Sequence, residues 1–206
     1  MENHNNLFSS FLVGVFVLIG VVGLNGSGKD TIAKYLKDSY GFEWVSLSDM
    51  IRKEVIAQGK NISNRDDINF VAEDTRKKFG PDIWIRKALE DYSPEQKLVL
   101  SSFRHPSENK IVKENKGIMI FVDVPIEIRF KRTVDRVLHN AHDHGSIVFE
   151  DFKKKEEREL SNPDKDKMQM GECIKLFDYK VDNSKTQEFL FSQIDKIMSK
   201  LKVKKI

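Results

Sequence analysis

A single cysteine, Cys173, stands in 206 residues, which excludes an internal disulfide framework and suits a reducing, cytoplasmic setting. Five prolines and eleven glycines are too few for a fibrous or linker-rich chain. No apolar run reaches the roughly 20 residues a membrane-spanning helix needs. Residues 11–22 are apolar, but no Lys or Arg precedes them and no small-residue cleavage site follows, so they do not read as a signal peptide. Charge of one sign is also lacking: 35 Lys and Arg face 32 Asp and Glu, for a net charge of +3 spread along the chain. That balance, with no basic strand rich in aromatics, gives no ground for a nucleic-acid partner or a membrane surface. The basic residues 200–205 read as a solvated helix end. Repeats and low-complexity linkers are absent as well, and 39% hydrophobic residues can fill the core of one α/β domain.

What is present is a strand followed at once by a glycine-rich turn. Residues 15–22 are apolar, and Gly23, Leu24, Asn25, Gly26, Ser27, Gly28, Lys29, Asp30 and Thr31 come next. The string fits G-x-x-x-x-G-K, a phosphate-cradling loop, and the apolar spacing of Ile32, Ala33 and Leu36 predicts the helix that must follow it. Glycines let successive backbone N–H groups turn toward one anion. The helix start adds partial positive charge, and Lys29 adds a mobile ammonium for the outer phosphates. ATP is therefore expected on residues 23–31. The residue after the lysine, ordinarily Ser or Thr on Mg²⁺, is Asp30, with Thr31 one place later. Both are candidates for the metal side, since Mg²⁺ accepts hard oxygen ligands.

Further strand-like runs fall at residues 44–47, 97–100, 118–124 and 179–181, separated by helical patterns. Ile68, Val71, Thr75 and Phe79 form one apolar stripe, Phe130, Val134 and Val137 a second, and Leu190, Ile194, Ile197 and Leu201 a third. Five strands alternating with helices predict a parallel sheet covered on both faces, with ligands beyond the strand C-terminal ends. Residues 1–14 read as an N-terminal arm and 15–206 as one domain. Residues 51–89 form a helical insertion over the sheet's mouth, and 137–158 a second one shaped like a lid. Within the latter, His139, His142, Asp143 and His144 read as a solvated loop rather than a zinc site. Cys173 reads as a small apolar filler.

After the second strand come Ser48, Asp49, Met50, Ile51 and Arg52, a passage that resembles nucleoside monophosphate kinases of the adenylate kinase type. Residues 76–86, with Arg76, Gly80, Asp82 and Arg86, are similar to adenylate kinase-related kinases of archaea and to phage-type deoxynucleoside monophosphate kinases. The passage 121–132, a strand and then Pro125, Arg129 and Arg132, is similar to the one that opens their lid. The passage 177–183 resembles one shared with dephospho-coenzyme A kinase, where it ends the sheet beside the adenine pocket, with Asn183 expected to cap the last helix. The resemblance spans residues 15–198 and implies a P-loop NTPase of the nucleoside monophosphate kinase type, with an acceptor flap and a lid.

The resemblance also implies roles. Arg52 and Arg104 would hold the acceptor's phosphate, with Ser48 and Asp49 shaping the turn and Arg76 and Arg86 as further acceptor contacts. Arg65 is a weaker candidate of the same kind. Arg129, Arg132 and Arg136 share a helix face, and the family's lid arginines clamp the triphosphate; here Lys29, Arg132 and Arg158 are the expected catalytic set. Where the related kinases carry an aspartate that positions Mg²⁺, this chain has Ser101. Asp123, ending the fourth strand, reads as structural. The expected reaction is transfer of the γ-phosphoryl group of ATP·Mg²⁺ to a (deoxy)nucleoside monophosphate. Phosphorylation of dephospho-coenzyme A, or a nucleotide switch without efficient transfer, are the alternatives, and the oligomeric state is open.

Overall fold

The computed structural model describes residues 17–90, 92–93, 96–139, 148–162, 164 and 167–206. Five strands, β1 Val17–Val22, β2 Glu43–Ser46, β3 Lys97–Ser101, β4 Ile118–Asp123 and β5 Tyr179–Asp182, pair in the order β2-β3-β1-β4-β5. Every pairing is parallel, as the strand–helix alternation requires. The order places β1 in the centre, so the turn leaving it opens at the middle of the sheet's C-terminal edge. All six β1 residues are buried, which is why this strand reads as an unbroken apolar run.

Alternation along β1 divides the core. Leu18 and Val22 pack on one face, Val17, Ile19 and Val21 on the other. The second face is covered by α1 Lys29–Tyr40 and α9 Gln187–Lys200, through Ile32, Ala33, Leu36, Leu190, Ile194 and Ile197. The first face is covered by α2 Leu47–Ala57, α3 Arg65–Phe79, α4 Ile83–Glu90, α5 Pro106–Glu114 and the single turn α8 Met170–Cys173. The two remaining helices are α6 Ile126–His139 and α7 Phe149–Leu160.

The helical block 51–89 thus shares the sheet's core: Val55, Val71, Ile83, Trp84 and Ile85 join Leu98 and Leu100 in one cluster. Its stripe is shorter than the spacing suggests, because Phe79 at the end of α3 is 59% exposed. On α6 the buried positions are Arg129 and Thr133, with Ile128 packed against the second-face cluster, while Phe130 meets the rings of Phe149 and Phe152 and so joins α6 to α7. Of the lid stretch 137–158, residues 140–147 lie outside the described residues, and with them His142, Asp143 and His144. Cys173 is buried in the first-face cluster, where burial pushes its thiol's pKa up; it packs as expected. Asp123 forms a 2.7 Å ion pair with Lys180 at the sheet edge.

One helix boundary is a correction. Asn183 does not cap α9. Thr186 does, its side-chain oxygen accepting from the Phe189 amide at 3.3 Å. Asn183 lies one turn too early in the chain for that bond and is recruited elsewhere.

Candidate active site

The loop between β1 and α1 is held by backbone. The Ser27 amide donates to the Leu24 carbonyl at 3.1 Å, and the Ile32 amide to the Gly28 carbonyl at 3.2 Å. Gly28 adopts φ 87°, a left-handed conformation that side chains rarely take, and a Cβ there would strike the amide of Asn183. That amide donates to the Ser27 carbonyl at 2.7 Å, which is the role Asn183 plays instead of capping. Gly26, at φ 77°, lies against the Arg129 carbonyl, and Gly23 against the Ser27 side chain. Among the described residues no side chain caps α1, so its first N–H groups stay available to an anion. The buried Ser27 hydroxyl has no hydrogen-bond partner among the described residues. This is the arrangement a phosphate chain fits.

Lys29 follows, its side chain only 13% exposed and its Nζ 3.9 Å from Asp30. Burial lowers its pKa, with the Asp30 carboxylate acting against that. The two departures from the expected metal pattern meet here. Asp30 accepts a hydrogen bond from the Ser101 hydroxyl at 3.1 Å, and Ser101 accepts one from the indole nitrogen of Trp44 at 3.1 Å. A carboxylate stands where the loop ordinarily has a hydroxyl, and a hydroxyl stands on β3 where the related kinases have a carboxylate. The two positions at which the sequence departs from the resemblance are thus hydrogen-bonded to each other. Asp30 is half exposed, leaving carboxylate oxygen open to the cavity for a hard cation. Thr31 is not among the residues lining that cavity; its hydroxyl would lie 3.8 Å from a Cβ on Gly28.

Lys29 and Asp30 open into a cavity of about 600 Å³ whose lining includes Asn25, Trp44, Ser48, Asp49, Arg52, Arg65, Arg76, Ser102, Arg104, Arg136 and Glu159. The structure therefore brings the loop lysine and the expected acceptor residues Ser48, Asp49, Arg52, Arg76 and Arg104 to one space. Arg52 is held by Asp49 at 2.8 Å and Ser48 at 3.2 Å. Arg76 is almost wholly buried, 3.5 Å from the fully buried Glu108. Glu108 also accepts from the Arg104 and His105 amides at 2.7 and 3.1 Å, closing the N-terminal cap of α5. One buried carboxylate thus fixes both Arg76 and the backbone of Arg104. Ser102, at φ 71°, is a non-glycine residue in the left-handed region, a strain that functional sites concentrate.

Three expected positions lie elsewhere, and these are corrections. Arg86 pairs with Asp82 at 3.2 Å and donates to the Phe79 carbonyl, so it closes the end of α3. Arg158 lines a separate cleft of about 390 Å³ with Lys154, Glu157, Ser161 and Asn162, because α7 turns Glu159 rather than Arg158 toward the cavity. Arg132 is not on the cavity wall; it donates to the Asn183 carbonyl at 2.9 Å and so braces the loop from behind. Arg129, on the same face, is consumed by Glu156, which it grips through both terminal nitrogens, and by the Val124 carbonyl at 2.9 Å. Arg136 alone of that face reaches the cavity, donating to the Asn25 side chain at 3.2 Å.

Sequence reasoning missed Trp44, Ser102 and Glu159 as cavity residues and Glu108 as the group behind Arg76. Trp44 lies in a recognisable strand, β2, which was a usable signal. Glu159 sits in a run of charged residues where nothing in the spacing marks it.

A central strand, a glycine-rich turn and a lysine-bearing helix at the middle of a five-stranded parallel sheet define a P-loop kinase fold. Shikimate kinase from Acinetobacter baumannii superposes with a TM-score of 0.58 at 16% identity, covering 91% of this chain and 96% of that one. A gluconokinase from Sinorhizobium meliloti gives 0.52 at 14%, with the same coverage of 91% and 96%. In sequence, a model of the family described as AAA domain matches residues 22–147, and the chain belongs to that family. A UPF0200 protein of Thermoplasma volcanium is 28% identical over 182 residues, 88% of this chain and 96% of its own length. One from Methanococcus maripaludis is 28% identical over 170 residues, covering 81% and 87%. Among the described residues, no helix is long and apolar enough to cross a membrane.

Proposed function

We propose that the chain is an ATP-dependent small-molecule kinase whose acceptor is a (deoxy)nucleoside monophosphate. One observation carries the reading: a single cavity is lined by Lys29 of the phosphate loop together with Arg52, Arg65, Arg76 and Arg104. Phosphoryl transfer asks for two substrates in line and positive charge around the moving group, with little covalent help. Arginine suits an acceptor that is itself a phosphate, because its planar fork binds two phosphate oxygens and keeps its charge. The fold neighbours named for shikimate and gluconate phosphorylation support the general chemistry without indicating this acceptor.

In this proposal residues 23–31 bind the donor's phosphates, and Lys29 balances charge developing between the β and γ groups. Arg136, tethered to Asn25, stands beside them. Asp30 and its Ser101 partner would hold the metal side, and Mg²⁺, when bound, neutralises the donor's phosphates. The residues fit that ion: a half-exposed carboxylate, kept in place by a hydroxyl, at the start of the loop helix. Residues 51–89 supply the acceptor wall through α2 and α3, and the stretch 137–158 serves as lid, excluding water that would otherwise take the phosphoryl group. An acceptor phosphate is already ionised, so no dedicated base is needed.

The test is ATP consumption with a panel of nucleoside and deoxynucleoside monophosphates, dephospho-coenzyme A, shikimate and gluconate, with Lys29→Ala as control. Turnover that depends on a monophosphate supports the proposal. Turnover with a hydroxyl acceptor reassigns the substrate class, and slow hydrolysis indifferent to every acceptor identifies a switch.

A further inference from the structure

We infer that the acceptor's phosphate sits where the Glu159 carboxylate now lies, between Arg65 and Arg104, and that Glu159 leaves this seat when the acceptor enters. The inference rests on the kinase reading above and adds which cationic pair forms the seat and what occupies it without substrate. Three separate elements meet at this point: Arg65 opens α3, Arg104 follows β3, and Glu159 comes near the end of α7. Arg65 Nη2 lies 3.7 Å from one carboxylate oxygen and Arg104 Nη1 lies 3.6 Å from the other. One anion is thus straddled by two guanidinium groups, as a substrate anion would be.

The fit is loose. A charge-assisted N–H···O bond closes to about 2.7–2.9 Å, so each contact is slack by more than half an ångström. Among the other arginines of the region, Arg76 is as slack, 3.5 Å from the wholly enclosed Glu108, whereas Arg52 closes to 2.8 Å on Asp49 and Arg129 grips both oxygens of Glu156. Slack on both sides of a carboxylate that lies on the cavity wall leaves room there for a larger group with more oxygens. A tetrahedral phosphate fills such a gap; a planar carboxylate does not.

Charge leads to the same place. Lys155, one helical turn before Glu159, is near enough to Arg65 and Arg104 that burial and those two charges lower its pKa. Arg65 and Arg104 thus share a single carboxylate that is 15% exposed, and positive charge is left over. A phosphate monoester brings nearly two negative charges, which suits this excess better than Glu159 does. Arg104 is also prevented from retreating, because its amide is fixed on Glu108 and a terminal nitrogen of its side chain meets the Met168 sulfur at 3.8 Å.

The experiment uses the full chain saturated with ADP and Mg²⁺, titrated calorimetrically with inorganic phosphate and, separately, with AMP and dCMP. Glu159→Gln is expected to bind phosphate and the monophosphates about tenfold tighter, since the competing charge is gone and the shape is kept. ADP affinity and the melting temperature should stay unchanged. Arg65→Gln and Arg104→Gln, made in the Glu159→Gln background, should each reverse the gain. Should Glu159→Gln fold poorly, Glu159→Asp withdraws the carboxylate by one methylene and is expected to tighten binding in the same direction. The inference is overturned if Glu159→Gln weakens phosphate binding, which would make Glu159 a brace for the two arginines. It is equally overturned if ATP, but not ADP, competes with the phosphate, because the seat would then belong to the donor's γ group. Failure of the kinase reading looks different: the gain in phosphate affinity would persist while no acceptor supported turnover.

Discussion

Two parts of the cavity wall are built from different materials. At the proposed donor end the backbone does the work: a left-handed Gly28, a helix start with no side-chain cap among the described residues, and a loop carbonyl tied to Asn183 at 2.7 Å. At the proposed acceptor end side chains do it, drawn from α2, α3, the turn after β3 and α7, each tethered to another charged group. A phosphate chain is common to all donors, so a rigid backbone cradle can be reused. Acceptors differ, and long arginines on separate helices can be re-aimed without disturbing the sheet. This contrast is how one fold serves many acceptors.

Breaking the donor end should have the largest effect. Lys29→Ala is expected to lower kcat/KM by about a thousandfold or more, near the cost of removing one preorganised charge from a transition state, with circular dichroism unchanged. At the acceptor end the largest effect is on stability. Glu108→Ala leaves Arg76 buried without a counter-charge and opens the α5 cap, which should cost about 3–5 kcal/mol in urea unfolding. The hydrogen-bonded pair Asp30 and Ser101 sharpens the comparison further. Asp30→Asn should raise the Mg²⁺ concentration for half-maximal nucleotide binding by about 10–100-fold, as losing a metal-side group does. The double variant Asp30→Ser with Ser101→Asp should recover most of that loss, read from Trp44 fluorescence as well as turnover. Asn183→Ala, which frees the Ser27 carbonyl, should cost about 1–2 kcal/mol and raise KM for ATP more than KM for the acceptor. The smallest effect belongs to Arg158→Ala, which should change turnover by less than about twofold, since an exposed charge away from the cavity contributes little.

The same contrast explains what could be read from the sequence. Gly26 and Gly28 are legible because a positive φ and a tight approach leave a residue-type signature, and β1 is legible because burial on both faces leaves an unbroken apolar run. All five strands fall within a residue or two of the apolar runs that mark them, up to the first described residue. Among the expected arginines, Arg86, Arg104, Arg129 and Arg158 look alike in sequence. Only packing decides that Glu156 takes Arg129, that the Phe79 carbonyl takes Arg86, and that α7 turns Glu159 inward. Asn183 shows the converse. An asparagine shortly before a helix has two good uses, and the loop 156 residues earlier in the chain claimed it. Long-range pairing of this kind has no local pattern to betray it.

The most direct test of the account is a calorimetric titration of ATP with Mg²⁺ into the folded chain and into Lys29→Ala. The account expects one nucleotide per chain bound by the unaltered protein, with the affinity falling at least about tenfold in the variant. No heat in the unaltered protein, or equal affinity in both, would contradict it.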